Sequence, residues 1–447
     1  MKKPSIIFVV AIRAKVNFIL RSELIPLLKE RGFPIVIVSP FYNDPDFQKE
    51  FKDSEVSLEP LLKKGRATSF INNFRYEALK IKHSDLEKTE RVYKHLKRRF
   101  GNPSIERKKR ILKRLVKFIP KVYRENPSWW DFVEKIFVHK KAYRKIFMRH
   151  NPGMVVVDDP NSEFIIYAIR YQIPSMFLDI NLDAFTTRFT AYLRPLTIIA
   201  ATSKAMKQEI MELQRIPAEK IMVTGILRSD FHRLRFKPMA REDFFRTIHA
   251  DPSKKLITFG AKTPLFYPHN ADIIKIILDG IKKGTFETPA QLMVRFDPNH
   301  DPMNYKDLLP DILFESADIK NHQDHVANLL YHSDIVISVS SSFSSEAVLL
   351  GTPALWIAFD GFTRYADHKD SYKYSYEIPL MRRLLSSGGI PLIENQEMLL
   401  KYIHDYLKDP SLDQEKRARF IEEEYAPADG HVADRVADLI VKYAKNS

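Results

Sequence analysis

Residues 331–358, YHSDIVISVSSSFSSEAVLLGTPALWIA, set two apolar runs on either side of a serine-rich turn. Ile335, Val336, Ile337 and Val339 are β-branched and nearly continuous, the pattern of a strand buried on both faces of a parallel sheet. Ser340, Ser341 and Ser342 follow where a helix must begin. Serine is a good N-cap, and the free N–H groups of a first turn form a ready anion site. Ser344 and Ser345 extend the cluster, and the helix runs on through Glu346, Ala347, Val348 and Leu349. Gly351-Thr352-Pro353 ends it with a glycine cap and a proline, and Ala354 to Ala358 forms the next strand. Glu346, read as a first-turn residue, has a plain role in complementing the helix dipole, worth about 0.3–1 kcal/mol. Its functional role is a carboxylate on the hydroxyls of a ribose whose diphosphate the serines hold.

Strand and helix signals alternate outward from this stretch. Ile6 to Ala11 reads as a first strand, Asn17 to Glu30 as a helix and Ile35 to Val38 as a second strand. A β-α-β start predicts a parallel sheet with ligands at the carboxyl ends of its strands. It lacks a G-x-G-x-x-G turn, which disfavours a dinucleotide site. Strands return at Met154–Val157, Ser175–Leu178, Thr197–Ala201 and Ile221–Val223, then at Leu256–Phe259 and Gln291–Arg295. At 447 residues the chain exceeds one core. The expected division is 1–232, with a helical insertion at about 69–150, and 233–447, with a terminal helix near Val432 to Ala444.

The absence of cysteine excludes disulfides, thiolate metal sites and thiol catalysis, and fits a reducing cytoplasm. No apolar run is long enough to span a membrane. Of the net charge of +15, residues 94–124 hold 13 Lys/Arg against the single Glu106. Ile105, Ile111, Leu112, Leu115, Val116 and Ile119 share one helical face there. Such a block is a solvated face or docks on an anionic membrane. With only Phe100, Phe118 and Tyr123 for stacking, nucleic acid is not the expected partner. Trp129-Trp130 with Phe132, Ile136 and Phe137 reads as core packing, with an interfacial anchor as the alternative.

Ser333-Asp334, the serine cluster, Glu346-Ala347 and Gly351-Thr352-Pro353 resemble the nucleotide-sugar signature of GT-B glycosyltransferases. The nearest groups are bacterial surface-polysaccharide glycosyltransferases, UDP-N-acetylglucosamine 2-epimerase-like proteins and CDP-glycerol glycerophosphotransferases. Val223-Thr224-Gly225 with Arg228 and Asp230, Val294-Arg295 with Pro298, and Asp429-Gly430 also match. The resemblance implies an α/β protein of two doubly wound, Rossmann-like parallel-sheet domains facing a cleft. It implies a cytoplasmic, metal-independent enzyme, at the inner membrane face if the basic block docks there. That enzyme moves a sugar from a nucleotide-sugar donor to a polysaccharide or lipid-linked acceptor in cell-envelope glycan synthesis. Glycerophosphotransferase, epimerase and non-catalytic nucleotide-sugar-binding assembly protein stand as alternatives. The first would need a histidine in the first-domain strand-end loops, and the second a Gly-Thr-Arg-Pro opening near Arg13; neither is present.

Glycosyl transfer needs a grip on the diphosphate, charge relief for the leaving group and a base for the acceptor hydroxyl. Asp158 and Asp159 end a strand and are the candidate bases, with Glu163 behind them; all three also suit caps and first-turn positions. Lys262 beside Gly260, Arg295 at a strand end, and Arg228 beside Gly225 at the expected hinge are the candidate phosphate cations, although Arg228 can instead pair with Asp230. In relatives the loop holding Arg13 and Asn17 faces the acceptor. Asp360, just past a strand, suits donor sugar hydroxyls, and the Ile319–His322 loop would lie near the base. His269, His300, His322, His325 and His368 lack a ligand spacing, so neither a bound metal nor a cofactor is expected beyond the nucleotide-sugar substrate.

Overall fold

Two all-parallel sheets organise the described residues, which in this computed structural model are 3–63, 66–79, 83–100, 114–137, 141–159, 163–179, 193–232, 236–264, 266–296, 301–316 and 322–444. The chain divides into two units. The first is Met1–Glu87, Asn102–Arg233 and Glu424–Ser447, and the second is Lys88–Gly101 with Leu234–Glu423.

The sheet of the first unit holds β1 (Ser5–Val9), β2 (Ile35–Ser39), β3 (Val56–Pro60), β4 (Pro152–Val157), β5 (Ser175–Leu178), β6 (Ile198–Ala201) and β7 (Ile221–Val223). Their order is β3-β2-β1-β4-β5-β6-β7, so the winding reverses between β1 and β4. Apolar residues on both faces of each strand explain the continuous runs: Ile7 and Val9 enter one core, Ile6 and Phe8 the other. The second of these cores also holds Leu24, Leu28 and the terminal helix Val432–Tyr443 through Val436 and Ile440.

That terminal helix belongs to the first unit, not to the second domain where the sequence division put it. Two local features hold it. Both carboxylate oxygens of Asp230 accept N–H groups at its start, from Val432 at 3.1 Å and Ala433 at 2.7 Å. Asp230 is therefore a helix cap and not the partner of Arg228. Gly225 has φ of +92°, and a β-carbon there would lie 2.5 Å from the Pro427 carbonyl oxygen and 2.7 Å from Val432. The glycine is where the returning chain crosses, which accounts for it without a ligand.

The second sheet holds β8 (Lys255–Gly260), β9 (Ala290–Phe296), β10 (Leu313–Ser316), β11 (Ile335–Ser338), β12 (Ala354–Ile357) and β13 (Leu392–Ile393). The order is β10-β9-β8-β11-β12-β13, reversing between β8 and β11.

The expected first helix is broken. Arg13–Lys15 and a wide π-type turn at Val16–Leu20 precede the helix Leu24–Glu30. The described part of the insertion is helical, with Arg66–Leu79, Ser84–Phe100, Lys121–Arg124, Pro127–Phe137 and Lys141–His150. Residues 88–101 nevertheless group with the second unit. The middle of the basic block, 101–113, with Ile105, Ile111 and Leu112, lies outside the described residues. Next to it Val116 is buried and Leu115 exposed, so these two do not share one buried face. Among the described residues no helix is long and apolar enough to cross a membrane.

Candidate functional site

In an open parallel sheet, ligands bind at the carboxyl ends of strands where the winding reverses. In the first unit that point lies at the ends of β1 and β4, and Asp158 stands on it, its N–H donating to Val9 O. The residue is 2% exposed. Its Oδ2 accepts from the Ala11 N–H at 3.3 Å, and the Lys15 ammonium lies 3.8 Å from it while donating to the Asp158 backbone carbonyl. Oδ1 is buried and has no hydrogen-bond partner among the described residues. Burial pushes the Asp158 pKa up to about 6, against the lowering by Lys15 and the Ala11 N–H and with a further push from Asp159. A carboxyl poised there can take or give a proton near neutral pH.

The sequence reading missed Lys15. The sequence points instead to Arg13 and Asn17, and both are bonded elsewhere. Arg13 is exposed, bonded to Asp44 at 2.9 Å and stacked on Phe41. Asn17 accepts from Arg21, which grips Glu50. Of the other base candidates, Asp159 is half-buried, and Glu163 is buried as the first residue of the helix Glu163–Arg170. Arg228 is buried with its guanidinium over the Phe18 ring, 5.2 Å from the centroid.

The second unit reverses at the ends of β8 and β11, and there the serine turn meets Lys262. The ammonium donates to Val339 O at 3.0 Å and Ser340 Oγ at 2.9 Å, and the Tyr372 hydroxyl joins Ser340 Oγ at 2.8 Å. Ser340 has φ of +43°, a left-handed turn that starts the helix Ser342–Leu349. Ser341 is its N-cap, accepting from Phe343 N, and Ser342 is exposed. Gly260 has a packing reason: a β-carbon there would lie 2.8 Å from the Phe343 ring.

The five serines thus divide. Ser340 to Ser342 form the turn, whereas Ser344 and Ser345 are buried, Ser344 bonding Ser338 Oγ at 2.7 Å between strand and helix. That removes these two from the phosphate-binding set. Glu346 is also buried and is the fifth helical residue, past the first turn, so complementing the dipole is not its role.

Arg295 is the penultimate residue of β9 but is committed to Glu315 on β10, whose other oxygen meets His325 Nε2 at 2.5 Å. Burial works to raise the Glu315 carboxyl, and the bonds to His325 and Arg295 outweigh it and hold it below its usual range. Asp360 pins the loop after β12, accepting from Tyr372 N at 2.9 Å and Ser371 Oγ at 2.6 Å. His269 bonds Tyr365 and His368 bonds Glu377. Among the described residues no group of three or more His, Cys, Asp or Glu could hold a metal ion. His300, Pro298 and Ile319 lie outside the described residues, as does most of the loop expected near the base.

No protein-family model and no curated protein matches the chain. Solved structures do. The chain is similar to the UDP-GlcNAc 2-epimerase of Methanocaldococcus jannaschii, with 13% identity, a TM-score of 0.57 and cover of 98% of this chain and 99% of that one. It is similar to the UDP-GlcNAc 2-epimerase of Neisseria meningitidis bound to UDP-GlcNAc, with 13% identity, a TM-score of 0.55 and cover of 98% and 100%. A variant of the wall teichoic acid polymerase TagF soaked with CDPG matches at 14% identity and a TM-score of 0.52, over 98% and 88%. The likeness runs the whole length of the chain, which has the GT-B fold that its motifs resembled.

Proposed function

We propose that this chain is a nucleotide-sugar enzyme, a glycosyltransferase whose second unit holds the donor and whose first unit supplies Asp158 as the acid–base group. The observation that carries the reading is the Asp158 carboxyl at the β1/β4 reversal, buried and titrating near pH 6 with one oxygen uncommitted among the described residues. Asp158 takes the proton of an acceptor hydroxyl as that oxygen bonds the sugar and the nucleoside diphosphate departs. The Ser340–Ser342 turn with Lys262 and the helix start receives the diphosphate. The acceptor is a glycan or a lipid-linked saccharide of the cell envelope, and no metal is required.

A panel of nucleoside diphosphates and their sugar conjugates, read by thermal shift, tests the donor half. A ligand at 100 times its dissociation constant adds roughly 2.7 kcal/mol of stability. Glu346→Ala should weaken the responding nucleotide by roughly tenfold or more, because a hydrogen bond to a charged group is worth about 1.5–3 kcal/mol. Calorimetry giving unchanged affinity would remove Glu346 from the site.

The near-neutral Asp158 favours a second reading, epimerisation of the bound sugar, since the same carboxyl could move a proton at carbon. Incubating the protein with UDP-GlcNAc and no acceptor separates the two. Appearance of the 2-epimer selects epimerisation, and UDP formed only when an acceptor is added selects transfer.

A further inference from the structure

We infer that residues 114–137 form a docking face for an anionic lipid surface. The helix Pro127–Phe137 is inverted with respect to water. Its acidic residues turn inward, Asp131 and Glu134 bonding the fully buried guanidinium of Arg75 at 2.5 and 2.8 Å. Phe132 and Ile136, four residues apart and so on one helical face, turn outward at 61% and 50% exposure. A helix at a water-facing surface presents the opposite arrangement. Core packing was the preferred reading of both in the sequence, and among the described side chains of that aromatic group only Trp130 is buried.

The preceding segment repeats the pattern. Phe118 and Val122 are 81% and 70% exposed. Arg114, Lys117 and Lys121 surround them in the sequence and are exposed, and no acidic residue occurs between 114 and 124. The two parts are joined rigidly, with the Trp130 indole N–H donating to Arg124 O at 2.9 Å and Tyr123 against Trp129 at 5.6 Å. A shallow, open depression of about 630 Å³ lies beside Val122, lined by Lys121, Asn126 and Arg194, with Glu125 on its wall drawn to Arg124 at 3.2 Å.

Charge decides the occupant. Outward aromatic and aliphatic side chains fringed by lysine and arginine are the composition of a segment lying in a lipid interface. A second copy would bring the same cations to the same face and be repelled. Anionic headgroups meet both features, the apolar side chains entering the acyl boundary while the cations take phosphates. The inference does not depend on which reaction the enzyme performs.

The test is co-sedimentation of the full chain with phosphatidylcholine vesicles, with and without phosphatidylglycerol, at low and high salt. Binding should need the anionic lipid and be lost at high salt. The pairs Phe118→Ser with Val122→Ser, and Phe132→Ser with Ile136→Ser, should each weaken it by roughly tenfold or more without lowering the unfolding midpoint. Lys117→Gln with Lys121→Gln should flatten its salt dependence. Equal binding to neutral and anionic vesicles, no binding to either, or serine pairs that bind like the parent would each overturn the inference. So would a concentration-dependent dimer abolished by the serine pairs, which would give the face to a second copy. Nucleotide binding by the second unit is measured separately, so failure here leaves the proposed reaction standing.

Discussion

Asp158→Asn should lower turnover by roughly 10²–10⁴-fold while nucleotide affinity persists, because asparagine keeps the shape and cannot accept the proton. In the parent, activity should fall as pH drops through about 6, where burial has placed the carboxyl. The same substitution should move stability the other way. The folded pKa is raised from 3.8 to about 6, so the fold favours the protonated acid. That advantage is complete below pH of about 4 and is lost as pH rises through about 6. Above it the buried carboxylate costs about 3 kcal/mol relative to the unfolded chain. Asparagine carries no such cost, so urea unfolding at pH 5 and pH 8 should find the variant gaining on the parent at the higher pH. A stability difference that does not change with pH would contradict the buried carboxyl. Normal turnover in the variant would move the base elsewhere, with Asp159 next to test and then Glu163.

Gly225→Ala should cost roughly 2–6 kcal/mol of stability, from two additive causes. A β-carbon at φ of +92° is strained by about 1–3 kcal/mol. The contact at 2.5 Å is with a backbone oxygen, Pro427 O, that cannot swing aside, and overpacking of that kind costs about 1–3 kcal/mol more. Gly284→Ala is the control, since its φ is +67° with nothing within 4 Å of the added carbon. Equal losses for the two variants in denaturant unfolding would show that the returning chain does not press on Gly225.

The sequence made the central strands legible because β1, β4, β8 and β11 are buried on both faces and therefore read as largely apolar runs rich in β-branched residues. The edge strand β3 escaped notice because Ser57 is exposed and Glu59 is polar, and β13 is only two residues long. The terminal helix announced a buried face but not which core receives it, since that depends on Asp230 and Gly225 some two hundred residues earlier. At the site, Asp158 was legible as the residue that ends a strand. Whether the next loop sends Arg13 or Lys15 to meet it is a matter of turn geometry, and the π-type turn at Val16–Leu20 carries no motif. The same limit applies to Phe132 and Ile136. An aromatic cluster reads as core until a buried Arg75 draws Asp131 and Glu134 to the inner side.

Because the helix Val432–Tyr443 completes the first unit, the order of synthesis and the order of assembly cannot agree. When Arg233 leaves the ribosome, the face that receives Val436 and Ile440 is made but bare. It waits for roughly two hundred further residues, which take about ten to forty seconds to translate. The second unit has all of its residues once Glu423 has emerged and can close during that wait. Nascent chains halted before residue 432 should therefore expose the apolar bed around Leu24 and Leu28 and depend on holding chaperones, whatever the state of the serine turn.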